Sequence, residues 1–289
     1  MSDHQYYTVI PFTGLSFISC LFIISLCACS EFLRKNYPFK LIFILAVIEA
    51  RMFAVRIFPA YLLGSKYCFY QAILNNIFTL ANNVWVGFIC FEMYNVVIRE
   101  KEKLEYGFYK PLGVILVLSI CAGYVPIYLQ DYGPIGAYCG TEFNNRHLNN
   151  DSIIFFSLSF GLRWLVIMFQ LIVSFKVSRK LKVQFSEENQ NIVKKIEYYP
   201  IILMTIYIPL TICRMLQLIT SVSSILIVAS QIIIACEGVL NFIVYGVNNE
   251  VKSLLKKFFN RRNGDLGLFK DELVFSSNQS TLNDCWVSN

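Results

Sequence analysis

Long apolar stretches alternate with short polar, mostly basic segments along this chain. A helix needs about 20 predominantly apolar residues to cross the hydrocarbon core of a bilayer, because each residue rises about 1.5 Å and lipid leaves no partner for an unpaired backbone group. Seven stretches reach that length: Thr8–Ser30, Pro38–Leu62, Cys68–Ile98, Tyr109–Leu129, Ile153–Val177, Tyr198–Thr220 and Ile225–Val247. Polar residues interrupt the third and the fifth. The pattern predicts an all-α membrane protein, a seven-transmembrane helix bundle over residues 1–249. After the seventh span, Val251, Leu254, Leu255, Phe258 and Phe259 recur at helical spacing while Lys252, Lys256, Lys257, Arg261 and Arg262 fill the other face. This predicts a short amphipathic interfacial helix over 250–262 on an anionic leaflet. The Ser- and Asn-rich residues 263–289 read as a disordered tail.

Composition agrees with a lipid solvent. The chain is 56% hydrophobic and only 15% charged, too little polar surface to enclose a water-soluble globule of 289 residues. The net charge of +6 sits in short blocks between apolar runs rather than on one folded patch, which argues against nucleic acid and for membrane orientation. With the N-terminus outside, nineteen of the 25 Lys and Arg fall in the cytosolic loops and tail; only Lys66 and Arg146 fall opposite, and the other four lie within spans. The chain is therefore expected in the plasma membrane with its C-terminus in the cytosol. The sequon Asn150-Asp151-Ser152 lies on the outer side, making Asn150 the expected glycosylation site; Asn278-Gln279-Ser280 falls in the cytosolic tail.

Little in the sequence carries covalent chemistry. It contains no G-x-S-x-G, H-E-x-x-H or P-loop motif, and its two histidines, His4 and His147, lie in polar segments without a cysteine cluster. Neither an enzyme, a metal site nor a cofactor is expected. A retinal protein would want a lysine in its last span, and none lies between Ile225 and Val247. Seven of the ten cysteines fall in apolar runs as packing residues. Cys68, at the outer end of the third span, and Cys139, in the longest outer loop, are the two on the oxidising side, and a disulfide between them is expected.

Charges inside a bilayer cost at least about 2.5 kcal/mol each, so every intramembrane charge is a candidate for function. Glu49, Arg51, Arg56, Arg163, Arg214 and Glu237 lie within spans and are expected to face the bundle interior. Two readings stay open. The arginines Arg56, Arg163 and Arg214, with Glu237 beside them, form an anion-accepting ligand site, since guanidinium binds carboxylate or phosphate bidentately. Alternatively Glu49 or Glu237 neutralises an arginine for structure alone. Pro209 removes a backbone hydrogen bond from the sixth span and gives that helix a pivot.

Several motifs carry a resemblance. The third span reads Cys68-Phe69-Tyr70-Gln71-Ala72, then Leu80-Ala81-Asn82-Asn83-Val84-Trp85, and the outer loop reads Tyr132-Gly133-Pro134-Ile135-Gly136-Ala137-Tyr138-Cys139. The sixth span runs from Tyr199-Pro200 through Ile208-Pro209 to Arg214, and the seventh ends Glu237-Gly238-Val239-Leu240-Asn241-Phe242-Ile243-Val244-Tyr245-Gly246-Val247-Asn248. From about Tyr37 to Asn249 the chain resembles the cyclic-AMP-receptor-like (class E) family of G-protein-coupled receptors. Tyr138 stands where that family's loop pattern has Trp, and Glu237 where it has Gln. The resemblance implies a receptor with a small-molecule ligand in the outer half of the bundle, signalling to a heterotrimeric G protein, with Asn241 and Tyr245 joining Pro209 as activation-switch residues. The rival reading from another class is a transporter or channel whose buried Arg and Glu line a permeation path, although no inverted repeat marks one.

Overall fold

In the computed structural model the described residues are 3–35, 37–59, 64–99, 109–129, 132–135, 137–141, 150–184, 204–217 and 223–246. The amphipathic segment 250–262 and the tail 263–289 lie outside them. Helix α1 spans Asp3–Cys29, α2 Glu31–Lys35, α3 Tyr37–Ile57, α4 Ser65–Val97 and α5 Tyr109–Leu129. A hairpin of β1 (Tyr132–Ile135) and β2 (Tyr138–Thr141) precedes α6, Asn150–Gln184. Residues 204–217 form α7, and α8 (Ser224–Ala235), α9 (Glu237–Asn241) and a π-helical turn, Phe242–Gly246, follow. The chain divides into a unit over Met1–Val244, which holds the bundle, and a second over Tyr245–Asn289.

The protein is an all-α, multi-pass membrane protein, and its helices show why in their two faces. On α6, Leu165, Phe169, Ile172 and Phe175 are exposed, whereas Arg163, Ile167, Gln170, Ser174 and Ser178 are buried. Both sets recur at three- and four-residue spacing, so each occupies one side of the helix. A helix that presents its leucines and phenylalanines outward and its glutamines and serines inward is built for lipid, where the polar groups find partners only inside. Among the described residues four helices are long and apolar enough to span by length and composition: His4–Cys29, Lys66–Val97, Phe160–Lys180 and Ser224–Val244. Helix α3 misses that standard because Lys40, Glu49, Arg51 and Arg56 lie along it.

Helix α4 is the axis of the bundle. Of its apolar window 67% is buried, against 28% for α1, and it packs on α3, α5, α6 and both hairpin strands. Its buried Asn75, Thr79 and Asn82 lie at i, i+4 and i+7, so one face delivers a polar ladder to the centre. Small residues admit the neighbours. A β-carbon on Gly123 of α5 would overlap Ile77 Cγ1 of α4, and one on Gly87 would meet Val166 of α6 at 3.2 Å. Gly64, with φ 112°, opens α4 in a conformation that side chains with a β-carbon rarely adopt.

Two expectations need correction. Arg51 is exposed, not interior. Seven residues carry a helix to within about 20° of two full turns, so Glu49 and Arg56 share the inward face, while Arg51, two residues after Glu49, is rotated to the other side. The seventh span is also not one continuous α-helix: it stops at Ala235, turns at Cys236 and restarts at Glu237. Ser16 of α1 joins the two pieces, donating its hydroxyl to Ala235 O and accepting Val239 N–H at 3.2 Å.

Candidate ligand cavity and polar core

The hairpin is fastened over one end of the bundle. A disulfide joins Cys139 of β2 to Cys68 in the first turn of α4. One turn further along α4, the Gln71 carbonyl accepts Cys139 N–H at 2.8 Å, and the same amide donates to Val55 O at 2.7 Å and to Phe58 O. From α8, Gln231 accepts Ala137 N–H at 2.8 Å. The hairpin is thereby tied to α3, α4 and α8, and Tyr138 is held with its ring 5.4 Å from the Arg56 guanidinium carbon.

Beneath it lies a small cavity, open on one side, and Arg56, Arg163 and Arg214 all line it. They come from α3, α6 and α7, so residues far apart in sequence meet where the anion-site reading placed them together. Asn75, Asn76 and Thr79 contribute the α4 wall, and Phe160, Tyr207, Leu210 and Ile234 the apolar part. Arg56 is fixed on several sides. Its Nε donates to Asn75 Oδ1 at 2.8 Å and its Nη2 to Thr79 Oγ1 at 3.2 Å, while Phe53 lies 5.8 Å from its guanidinium carbon. Arg163 lies over Phe160 at 5.3 Å, and Arg214 donates to Gln217 Oε1 at 2.9 Å. Arg56 and Arg163 are 4% and 9% exposed, yet the buried Arg56 Nη1, Arg163 Nε and Asn76 Nδ2 have no acceptor among the described residues.

The buried carboxylates do not supply those acceptors. Among the described residues, no Glu or Asp stands within ion-pair distance of any of the three arginines. Glu237, expected at the ligand site, is not among the lining residues; its Oε1 accepts Asn82 Nδ2 at 3.0 Å. Glu49 accepts the Asn241 side-chain amide on one oxygen and the Cys20 thiol at 3.6 Å on the other. The two carboxylates thus belong to a polar core held by α1, α3, α4 and α9. Of the expected switch residues, Asn241 is in this core, Pro209 sits within an unbroken α7, and Tyr245 falls in the π-helical turn. Asn150 is the first residue of α6.

The opposite end carries its own ties. Tyr37 donates to Glu92 Oε2 at 3.3 Å, Trp85 Nε1 to Leu41 O at 3.0 Å and Lys180 to Ile98 O at 3.2 Å. On α2, Lys35 pairs with Glu31 at 2.9 Å, and that hydrogen bond and charge hold the Glu31 carboxyl below its ordinary range. The sequence reading missed Gln71, Gln231, Asn75, Asn76, Thr79 and Tyr207. The available signal was an amide, hydroxyl or phenol recurring inside an apolar span.

No protein-family model matches this chain, and no curated protein does. Solved structures do: the crystal structure of squid rhodopsin matches with a TM-score of 0.74, covering 100% of this chain and 93% of that one at 13% identity. At that identity the likeness is one of fold. The chain has the seven-helix fold of rhodopsin.

Proposed function

We propose that this protein is a G-protein-coupled receptor of the cyclic-AMP-receptor-like type, taking a small anionic ligand in the hairpin-covered cavity and signalling to a heterotrimeric G protein. The observation that carries the reading is the convergence of Arg56, Arg163 and Arg214 from three helices on one cavity, without a carboxylate among the described residues paired to any of them. Three guanidiniums in a low-dielectric bundle raise each other's cost, and an anionic ligand is what relieves it. The asymmetry of Lys and Arg supports placing the hairpin end outside the cell and the opposite end in the cytosol, in the plasma membrane. Ligand binding at the hairpin end then shifts the balance between two helix arrangements, with α7, pivoting at Pro209, and the Asn241 region as the moving parts.

The test reconstitutes the purified chain in vesicles with a heterotrimeric G protein and screens small carboxylates and phosphates. Nucleotide exchange that rises with one of them, and is lost on Arg163→Ala, is the expected result. Solute or ion flux across the same vesicles in the absence of G protein would support the transporter reading instead.

A further inference from the structure

Resting on the anion-receptor reading, we infer that the ligand is a small carboxylate with an apolar body, its head gripped by Arg214 at the mouth of the cavity and its body lying along Leu210 and Phe160. The three arginines are not equally open to it. A guanidinium takes a carboxylate well along the edge formed by Nε and one Nη, where two parallel N–H bonds meet two oxygens. On Arg56 that edge is closed, with Nε on Asn75 and Nη2 on Thr79, and the remaining Nη1 has no accessible surface. Arg163 is buried as well, and its Nε is likewise sealed. These two act on a ligand through their charge, from within the wall.

Arg214 differs on both counts. It is half-buried rather than buried, and among the described residues its engaged nitrogen is Nη1, which donates to Gln217 at 2.9 Å. The edge of Nε and Nη2 is left for two oxygens. An apolar lane leads inward from it, because Tyr207, Leu210 and Arg214 stand at i, i+3 and i+7 on α7, one stripe of the helix, and all three line the cavity. Exposure rises along that stripe, from 2% at Tyr207 through 8% at Leu210 to the half-buried Arg214, so the arginine stands at the open end. Phe160 of α6 and Ile234 of α8 extend the apolar lining. A ligand charged at both ends would press one charge against those side chains without water, whereas an apolar body gains by covering them.

Thermal stabilisation of the purified chain in a non-ionic detergent, titrated separately with benzoate, acetate and benzamide, distinguishes head from body. Benzoate is expected to act at the lowest concentration. Acetate, which lacks the ring, and benzamide, which lacks the charge, should each need roughly tenfold more. Arg214→Gln removes both the charge and the fork, and should raise the half-effect concentration of benzoate roughly tenfold while leaving that of benzamide alone. Arg214→Lys keeps the charge without the fork; it should fall between, and serves as the second variant if the first does not fold. Leu210→Ala should weaken benzoate and spare acetate. Arg51→Gln, on the outer side of α3, changes the overall charge equally and should change neither. If benzoate stabilises the wild type and both Arg214 variants at the same concentration, Arg214 does not hold the head, and the anion cavity stands. If inorganic phosphate stabilises the chain and benzoate does not, the apolar body is wrong and the cavity again stands. If neither stabilises any form, the anion cavity itself is wrong.

Discussion

Asn241 donates its side-chain amide to the Glu49 carboxylate across 192 residues of sequence, joining α9 to α3 in the middle of the bundle. Both residues are buried, and in lipid neither has water to fall back on. Removing either side chain strands a polar group. Asn241→Ala and Glu49→Ala should each lower stability by about 1–3 kcal/mol. The double variant should cost clearly less than the two together, because the second truncation removes the group the first left unpaired. Thermal unfolding of the four forms in detergent measures this, and simple additivity would show that the bond carries no coupling energy.

Close approach of α1 to α9 is the condition for that geometry. A β-carbon on Gly238 would stand 2.7 Å from Phe53 Cε2 and 2.8 Å from Ser16 Cβ. One of those contacts is a ring edge and the other a side chain already engaged at both Ala235 and Val239. Gly238→Ala is therefore expected to cost about 1–3 kcal/mol through overpacking. Adding Phe53→Leu should recover part of the loss by freeing the ring's volume. Melting temperatures of the single and double variants decide it: a double variant no better than the single would place the strain elsewhere.

How far the sequence discloses this architecture follows from the range of each interaction. The spans are legible because lipid imposes a length and a polarity on every helix independently, and α5 matches its expected limits at both ends. The inward placement of Glu49 and Arg56 is a local property of one helix and follows from its rotation. Arg51 followed from the same rotation, but the expectation treated all intramembrane charges alike. The break at Cys236 was not legible. No proline or glycine occupies that position, and the turn depends on a serine hydroxyl 219 residues away in sequence accepting and donating at the gap. The three arginines could be named as a set, yet their partners Asn75, Asn76 and Thr79 could not, because that requires knowing how α4 is turned toward α3.

Arg51 and Arg56 offer a matched comparison on one helix. Arg56 is hydrogen-bonded to Asn75 and Thr79, and its replacement by Leu leaves those groups without their donor. Arg51 is exposed on the outer side of α3, where a charge facing hydrocarbon costs at least about 2.5 kcal/mol on insertion scales. Arg51→Leu should therefore be neutral or stabilising, whereas Arg56→Leu should destabilise by about 1–3 kcal/mol. Unfolding of both variants in bicelles is the measurement. Equal losses would mean that Arg51 has an interior partner after all.

The hairpin's attachment separates a covalent from a hydrogen-bonded contribution. The Cys68–Cys139 bridge closes a long loop, its ends separated by 71 positions in sequence, and removing such a cross-link typically costs about 2–4 kcal/mol, much of it by freeing the unfolded chain. Gln71 holds the same strand through Cys139 N–H and holds α3 through Val55 O, and those bonds exist only when the chain is folded. Cys139→Ser should thus lower the melting temperature while leaving Tyr138 stacked on Arg56, because Gln71 and Gln231 still grip the backbone on either side of it. Cys139→Ser combined with Gln71→Ala should release the hairpin. A maleimide probe on an introduced cysteine at Tyr138, in a chain whose other free cysteines are replaced, reports its burial: slow labelling is expected with the bridge removed and fast labelling once Gln71 is removed as well. Fast labelling in the first case would assign the hairpin's placement to the disulfide alone, and would make the cavity roof sensitive to redox conditions in a way the hydrogen bonds argue against.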